Sequence, residues 1–265
     1  MTGAPAAALR RCTGLVVPPV LFGIVVLALW QGLVRLLDVK SWVLAAPTDI
    51  WHEVTAHPSQ IAEAAGNSGL NALIGLVIGC VVGVLLAALC SRVTVLGHAI
   101  TPLVAALAAI PIVCLAPVLM HLYGLTSAVP RRGVVAIAAF VPMFINTLRG
   151  LGEISTVHQE LMSSLAASRT AVLRLIRLPG SLPHLCTGLR VAASLAVISA
   201  VVSEYFGGLQ NGLGFRISDQ AHATNYPGAW AAVLGAVVLG LLFFLAALLV
   251  ERLVLGRRSV SVSRQ

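Results

Sequence analysis

The sequence predicts an all-α protein, a membrane-embedded bundle of about six transmembrane helices. Apolar residues make up 58% of the 265 residues and charged residues 10%, whereas a soluble domain carries about 25% charged residues. The mean hydropathy is +0.98. Six apolar runs approach the roughly 20 residues that cross a bilayer. This composition argues against a soluble enzyme, a disordered protein and a nucleic-acid-binding module.

The six runs follow one another along the whole chain. They are roughly Leu15–Leu37, Leu70–Ser91, Leu96–Tyr123, Gly133–Leu148, Leu189–Phe206 and Ala229–Leu249. The first run is too long for the apolar region of a signal peptide, so we interpret it as a retained span. The third contains Pro102, Pro111 and Pro117, which predict a kinked helix or a helix followed by a re-entrant segment. The fourth is short and contains Pro142, so its limits are uncertain.

Basic residues near the ends of the runs predict that both termini are cytoplasmic. Six spans place both termini on one side. The inner set would be Arg10, Arg11, Arg92, Arg149, Arg169, Arg174, Arg177, Arg190, Arg252, Arg257, Arg258 and Arg264, and the outer set Arg35, Lys40, Arg131, Arg132 and Arg216. Arg131 and Arg132 go against the rule. We divide the chain into a cytoplasmic N-terminus (1–14), a transmembrane domain (15–250) and a basic cytoplasmic tail (251–265).

The net charge of +8 comes almost wholly from arginines that flank apolar runs, which favours an orientation signal over a nucleic-acid partner. The five cysteines form no CxxC pair and are interpreted as packing residues. The only lysine, Lys40, follows no glycine, so no phosphate-binding loop is present. His52 and His57 are five residues apart, one too many for a zinc-protease helix.

The segment Gly66-Asn67-Ser68-Gly69 spells the G-x-S-G of intramembrane serine proteases. A nucleophilic serine needs a base, and the later spans contain no histidine. We interpret Asn67 or Ser68 as the N-terminal cap of the second span instead. The sequence therefore predicts no catalytic residue and no metal ligand, and an enzyme is the less favoured alternative.

Small residues repeat every four positions on the second span, at Gly75, Gly79 and Gly83. Such a stripe lets another helix approach closely. It predicts tight packing within the bundle or a helix at a subunit interface.

A basic loop of about 40 residues (about 150–188) joins the fourth and fifth runs and is the main candidate for function. Strong helix formers with apolar residues on one face predict a helix over Glu160–Ile176, which Pro179 and Pro183 would end. The result would be an amphipathic helix pair, bent at proline. It would either lie on the lipid headgroups or act as a rigid lever that docks into a groove of a cytoplasmic partner, which we favour.

This loop resembles the coupling-loop signature of importer permeases of the ATP-binding-cassette (ABC) superfamily. The family pattern is E-A-A, three residues, G, nine residues, then I-x-L-P. Glu160-Leu161-Met162 stands for E-A-A, Ala166 for the glycine, and Ile176-Arg177-Leu178-Pro179 fits I-x-L-P.

The nitrate/taurine/sulfonate-type branch of that family is similar over almost the whole chain. Its proline patterns resemble Ala109-Ile110-Pro111 with Leu115-Ala116-Pro117, and Phe140-Val141-Pro142 with Asn146-Thr147; its late motifs resemble Ser203-Glu204-Tyr205 and Gly212-Leu213-Gly214-Phe215. The order and spacing of these pieces together are fairly specific.

The resemblance implies the type I importer permease fold in a bacterial inner (plasma) membrane. The implied partners are two cytoplasmic ATPase subunits, a second permease subunit and an extracytoplasmic binding protein. No cofactor is expected in this chain, because ATP and Mg would be bound by the ATPases. The ATPase-coupling residues would be Glu160, Leu161, Met162, Leu165, Ala166, Ile176, Leu178 and Pro179. Replacing Glu160, or inserting bulk at Ala166, should then abolish uptake and transport-stimulated ATP hydrolysis.

The departures from the family pattern are specific. Leu161 and Met162 replace two alanines, and Ala166 replaces the glycine. One hypothesis is that this subunit pairs with a different permease rather than with a copy of itself.

Polar residues and prolines within the spans are candidates for the translocation pathway, since polar groups there usually face a cavity or a partner helix. The candidates are Pro111, Pro117, Pro142, Asn146, Thr147, Ser199, Ser203 and Glu204. The serines and the threonine could instead bond their own helix backbone. Glu204 could be solvated, paired or near a gate, and we slightly favour a pairing. The other alternative is an ion-coupled secondary transporter. Such a protein would need a carboxylate or histidine in the middle of a span.

Overall fold

The computed structural model describes residues 4–124, 127–153, 155–207 and 209–262, and these form helices joined by short turns and loops, with no strand among them. The helices are α1 (Ala4–Leu36), α2 (Pro47–Ala56), α3 (Pro58–Arg92), α4 (Thr94–Ala108), α5 (Ile112–Tyr123), α6 (Val129–Gly152), α7 (Thr156–Ser164), α8 (Arg169–Val172), α9 (Leu178–Tyr205), α10 (Leu213–His222) and α11 (Tyr226–Val262). A π-helical segment, Leu173–Arg177, joins α8 to α9.

Five of the six predicted spans form helices long and apolar enough to cross a membrane, within α1, α3, α6, α8 to α9, and α11. The third predicted span is instead two shorter helices, α4 and α5. The break follows from Pro111, which has no backbone N–H. Just before it, Ala109 and Ile110 donate to the carbonyls three residues back, at 3.0 and 3.2 Å, so the helix tightens and ends.

Helix α6 lies between α3 and α9 and forms the centre of the bundle. The glycine stripe of α3 faces α6 of the same chain. A Cβ atom on Gly79 would clash with the backbone carbonyl of Ala136, and one on Gly83 would lie 3.0 Å from the carbonyl of Phe140. The stripe therefore brings two helix backbones together, as small residues do between membrane helices.

The prediction that Asn67 or Ser68 caps the second span is wrong. Helix α3 begins at Pro58, whose missing N–H costs nothing in a first turn. Ser68 consequently lies inside the helix and is fully buried.

The helix and the proline bend predicted within the coupling loop are also wrong. Instead of one helix over Glu160–Ile176, α7 ends at Ser164 and a turn at Leu165–Ser168 precedes α8. The bend lies in that turn and not at a proline. Pro179 occupies the first turn of α9, where a proline is tolerated, and Pro183 lies inside α9.

Candidate functional site

The short helix α7 has two distinct faces. Val157, Leu161 and Leu165 repeat every four residues and are 70%, 53% and 67% exposed. Gln159, Met162 and Ser163 line a cleft against the rest of the chain on the other face. An exposed apolar stripe on a surface helix is typical of a docking site. Val157 belongs to this stripe although the sequence analysis did not name it; its i, i+4 spacing from Leu161 is the signal that could have found it.

The turn after α7 explains why the family pattern has a glycine at this point. Ala166 has φ +46°, in the left-handed region. Its N–H donates to the carbonyl of Ser163, and the N–H of Ala167 donates to that of Met162, each at 3.0 Å. These two bonds define the Schellman motif, which ends a helix with a left-handed residue that is usually glycine. Ala166 holds that position at a steric cost of about 1–2 kcal/mol.

Replacing Ala166 by glycine should therefore stabilise the end of α7. We expect a gain of about 1 kcal/mol, which would slow amide hydrogen exchange in α7 about fivefold. The matched control is Ala167→Gly, because the backbone of Ala167 does not have positive φ; this change should speed exchange slightly. Equal exchange rates in the two variants would contradict the argument.

The remaining coupling residues lie on both sides of the turn. Glu160 is exposed on α7, Ile176 is half-buried in the π-helical segment, and Leu178 is 49% exposed at the start of α9. Pro179 follows Leu178 and is half-buried. The structure thus brings these residues to one end of the bundle, on separate short elements. Their role in coupling stays a prediction.

A buried polar network lies at the opposite end of the bundle, around Glu204. The Glu204 side chain is fully buried at the end of α9. Ser68 donates its hydroxyl to this carboxylate at 2.5 Å, Asn71 donates its amide at 3.4 Å, and the backbone N–H of Gly214 donates at 3.3 Å. Buried carboxylates need such donors because losing water is costly. The geometry is that of a paired residue rather than a solvated one.

Two arginines complete this network from α6. Arg131 is fully buried and donates to Asn211 Oδ1 at 3.0 Å and to the carbonyl of Leu209. Its charge also attracts Glu204 electrostatically. Arg132 donates to Asn71 Oδ1 at 3.3 Å.

Sequence reasoning missed both arginines as site residues, although it had a signal. They were the two basic residues that violated the positive-inside rule. The structure gives the reason, because Arg131 is an internal partner of the bundle and not a loop charge.

The backbone of the motif Gly212-Leu213-Gly214 packs directly against the end of α9 and covers the Glu204 network. A Cβ atom on Gly212 would overlap the Glu204 carboxylate, and one on Gly214 would overlap the carbonyl of Val201. The N–H of Leu213 donates to Ser68 Oγ at 2.9 Å. Only glycines let this loop reach so near the end of α9.

Replacing Glu204 by alanine should destabilise the protein by about 3 kcal/mol, because several buried donors and the Arg131 charge lose their partner. Unfolding in detergent can be followed by maleimide labelling of the buried Cys90 and Cys186 thiols. The matched control is Glu63→Ala, an exposed position on α3, which should change stability by less than about 0.5 kcal/mol. Similar unfolding temperatures for the two variants would refute a structural role for Glu204.

The other pathway candidates do not meet in a single site. Thr147 is buried with no hydrogen-bond partner for its hydroxyl among the described residues, and it lines a cavity of about 360 Å³ near the α7 end. On α6 it lies 16 residues from Arg131, about 24 Å along the axis. Asn146 donates its amide to the carbonyl of Pro142 at 2.8 Å, and Ser203 donates to that of Ala200 at 2.8 Å. Ser199 is buried, Pro117 is half-buried and Pro111 is exposed. Their place in a pathway stays a prediction.

Comparison with known proteins gives a consistent result. Residues 75–256 match the family described as "binding-protein-dependent transport system inner membrane component". The formylaminopyrimidine transport permease of Halalkalibacterium halodurans is 28% identical over 91% of this chain and 95% of its own length. The riboflavin transport system permease of Chloroflexus aurantiacus is 34% identical over 60% of this chain and 58% of its own. The putative aliphatic sulfonates permease of Bacillus subtilis is 26% identical over 89% and 85%.

Solved structures agree on the fold. A chain of the methionine ABC transporter MetNI, in an inward-facing conformation, superposes with a TM-score of 0.55 at 20% identity, over 74% of this chain and 94% of that one. At this identity the likeness concerns the fold alone. The matched family covers more than half of the sequence, and the relatives are permeases of the nitrate/taurine/sulfonate-type branch, so the chain belongs to the binding-protein-dependent inner membrane components and is a transmembrane permease subunit of an ABC importer.

Proposed function

We propose that two cytoplasmic ATPase subunits power transport by this permease, and that they bind the exposed face of α7. The observation that carries the proposal is the apolar stripe of Val157, Leu161 and Leu165, on a helix whose other face borders the cleft towards the spans. Glu160 lies beside this stripe and is exposed. The ATPases would bind and hydrolyse ATP with Mg, while this chain supplies the docking helix.

The mechanism follows from how α7 is connected. Binding of ATP closes the ATPase dimer and moves α7. From residue 170 to 205 the chain is one uninterrupted helical segment, which includes the π turn. Displacement at α7 therefore reaches α9 and the helices packed on it. The spans then switch between inward and outward access, as packed elements do between discrete states.

The orientation in this proposal counts α4 and α5 together as one crossing and places both termini and α7 in the cytoplasm of a bacterial cell. Twelve of the seventeen basic residues then lie inside. The segments Asp38–Ser68 and Tyr205–Gly228 would lie at the outer end of the bundle, where their exposed parts would receive the binding protein. Trp42 and Trp51 support this role, since both are more than 60% exposed, and tryptophan is enriched at protein interfaces.

The substrate in this proposal is a small organic or inorganic anion or a vitamin-like precursor. The support comes from the names of the relatives, which concern formylaminopyrimidine, riboflavin and aliphatic sulfonates. The binding protein would supply most of the selectivity. Identifying the binding protein would therefore limit the range of possible substrates most.

The second permease subunit is either a copy of this chain or a paralogue, and we propose a paralogue. Leu161 and Met162 give α7 larger side chains than the alanines of the family pattern, which would suit an asymmetric complex. Purification of the native complex tests this proposal. Two copies of this chain without a second permease would overturn it.

Uptake into proteoliposomes tests the proposed function itself. We expect uptake that requires ATP inside the vesicles, the binding protein outside and a co-purified ATPase. Uptake driven by an ion gradient without an ATPase would favour the secondary transporter instead.

A further inference from the structure

A basic cleft of about 1020 Å³ lies between the inner face of α7 and the ends of two spans. Three arginines line it: Arg92 at the end of α3, and Arg174 and Arg177 in the π-helical segment. No carboxylate is among the residues that line it in the described part of the chain. Three positive charges thus border one space without a counter-ion in its wall.

These three arginines differ from other arginines of the bundle in their side-chain partners. Arg190 forms an ion pair with Glu251 at 3.1 Å, and Arg131 has two hydrogen-bond acceptors. Arg92, Arg174 and Arg177 make no such ion pair or side-chain hydrogen bond within the described residues. The planar guanidinium group of arginine can donate two parallel hydrogen bonds to phosphate oxygens. The cleft therefore has the hydrogen-bond donors that an anionic phosphate needs.

The position of the cleft favours a lipid over a soluble anion. Arg92 is the last residue of one span, and another candidate span begins at Thr170, which also lines the cleft. The end of α3 at Arg92 would meet the headgroups on the cytoplasmic side of the membrane, and the cleft opens beside it. A second cavity, of about 360 Å³, shares Arg174 with the cleft and is otherwise lined mainly by apolar side chains such as Val84, Leu151 and Leu182. The arginines could bind the phosphate of a phospholipid headgroup, and the apolar cavity beside them could hold part of an acyl chain.

We propose that this cleft binds the phosphate of an anionic lipid headgroup, such as phosphatidylglycerol, and that the lipid supports the inner face of α7. Gln159 and Met162 of α7 line the same cleft, so a bound headgroup would lie between the docking helix and the spans. The outer face of α7, with Leu161 and Leu165, stays available to a protein partner. Basic pockets between membrane helices are known to take anionic headgroups in this way.

The test compares lipid binding by the purified full-length chain and two double variants. Arg174→Gln with Arg177→Gln removes two charges from the cleft. The control, Arg149→Gln with Arg252→Gln, removes two exposed charges outside it. Binding is measured by native mass spectrometry after titration of phosphatidylglycerol into detergent, and by thermal stability in phosphatidylcholine nanodiscs with and without phosphatidylglycerol.

We expect about 25-fold weaker phosphatidylglycerol binding in the cleft variant, at about fivefold per arginine, and a change of less than about threefold in the control. Equal losses in both variants would overturn the proposal. So would an equal gain in stability from inorganic phosphate in pure phosphatidylcholine discs, which would identify a soluble anion. Crosslinks from Arg174→Cys to the ATPase, with lipid binding unchanged in the cleft variant, would assign the cleft to a protein contact.

Discussion

Replacing Leu161 and Leu165 together by glutamate should reduce ATP-dependent uptake by at least about 100-fold. Both side chains are more than half exposed, Leu161 on α7 and Leu165 at its C-terminal cap, so the permease itself loses little packing. In the proposed complex with the ATPases, however, each glutamate would be buried unpaired in the docking groove, which costs several kcal/mol. The measurements are uptake by proteoliposomes and the stimulation of ATP hydrolysis by the loaded binding protein.

The matched control keeps the apolar character of the face. Leu161→Met with Leu165→Met changes shape but adds no charge, and it should retain most of the uptake. Both variants should insert and unfold like the parent chain, which separates a docking defect from a folding defect. If the glutamate variant transported at the parental rate, α7 would not be the docking helix.

Replacing Gly79 by leucine should prevent stable folding of the permease. A Cβ atom at this position would already overlap the Ala136 carbonyl and lie 2.9 Å from both the Ala139 Cβ and the Phe140 nitrogen. These are mostly backbone atoms of α6, which cannot rotate aside as a side chain can. Since overpacking a flexible core costs about 1–3 kcal/mol, we expect a larger loss here. The readout is the yield of monodisperse protein after mild detergent extraction.

The control for this prediction lies on the same helix. A Cβ atom at Gly66 would meet nothing within 4 Å, so Gly66→Leu should fold normally. It should even gain up to about 1 kcal/mol, because leucine favours helix more than glycine does. A normal yield of Gly79→Leu would mean that α3 and α6 are not packed in this way.

The spans could be predicted from sequence because the bilayer imposes a length and an apolar composition on each of them. A break in the third run was also predictable, since proline removes a backbone donor. Which of the three prolines breaks the third run was not. Pro102 and Pro117 both remain inside helices, α4 and α5.

The detailed structure of the coupling loop was beyond sequence reasoning for a different reason. Alanine is a strong helix former, so Ala166 predicts a continuous helix and hides a left-handed turn. Only the family pattern, with glycine at this position, indicates that the helix ends there. The partners of Glu204 were also unpredictable, because Ser68 lies 136 positions away in sequence and no local pattern relates the two.

The continuous helical path from the π turn to Glu204 sets a rule for changes in chain length. Adding or deleting one residue in an α-helix rotates everything beyond it by about 100°. Between Arg177 and Glu204, such an indel would turn the carboxylate away from Ser68 and Gly214 or twist the docking end against the bundle. The number of residues in this stretch should therefore vary less among functional relatives than their identity does.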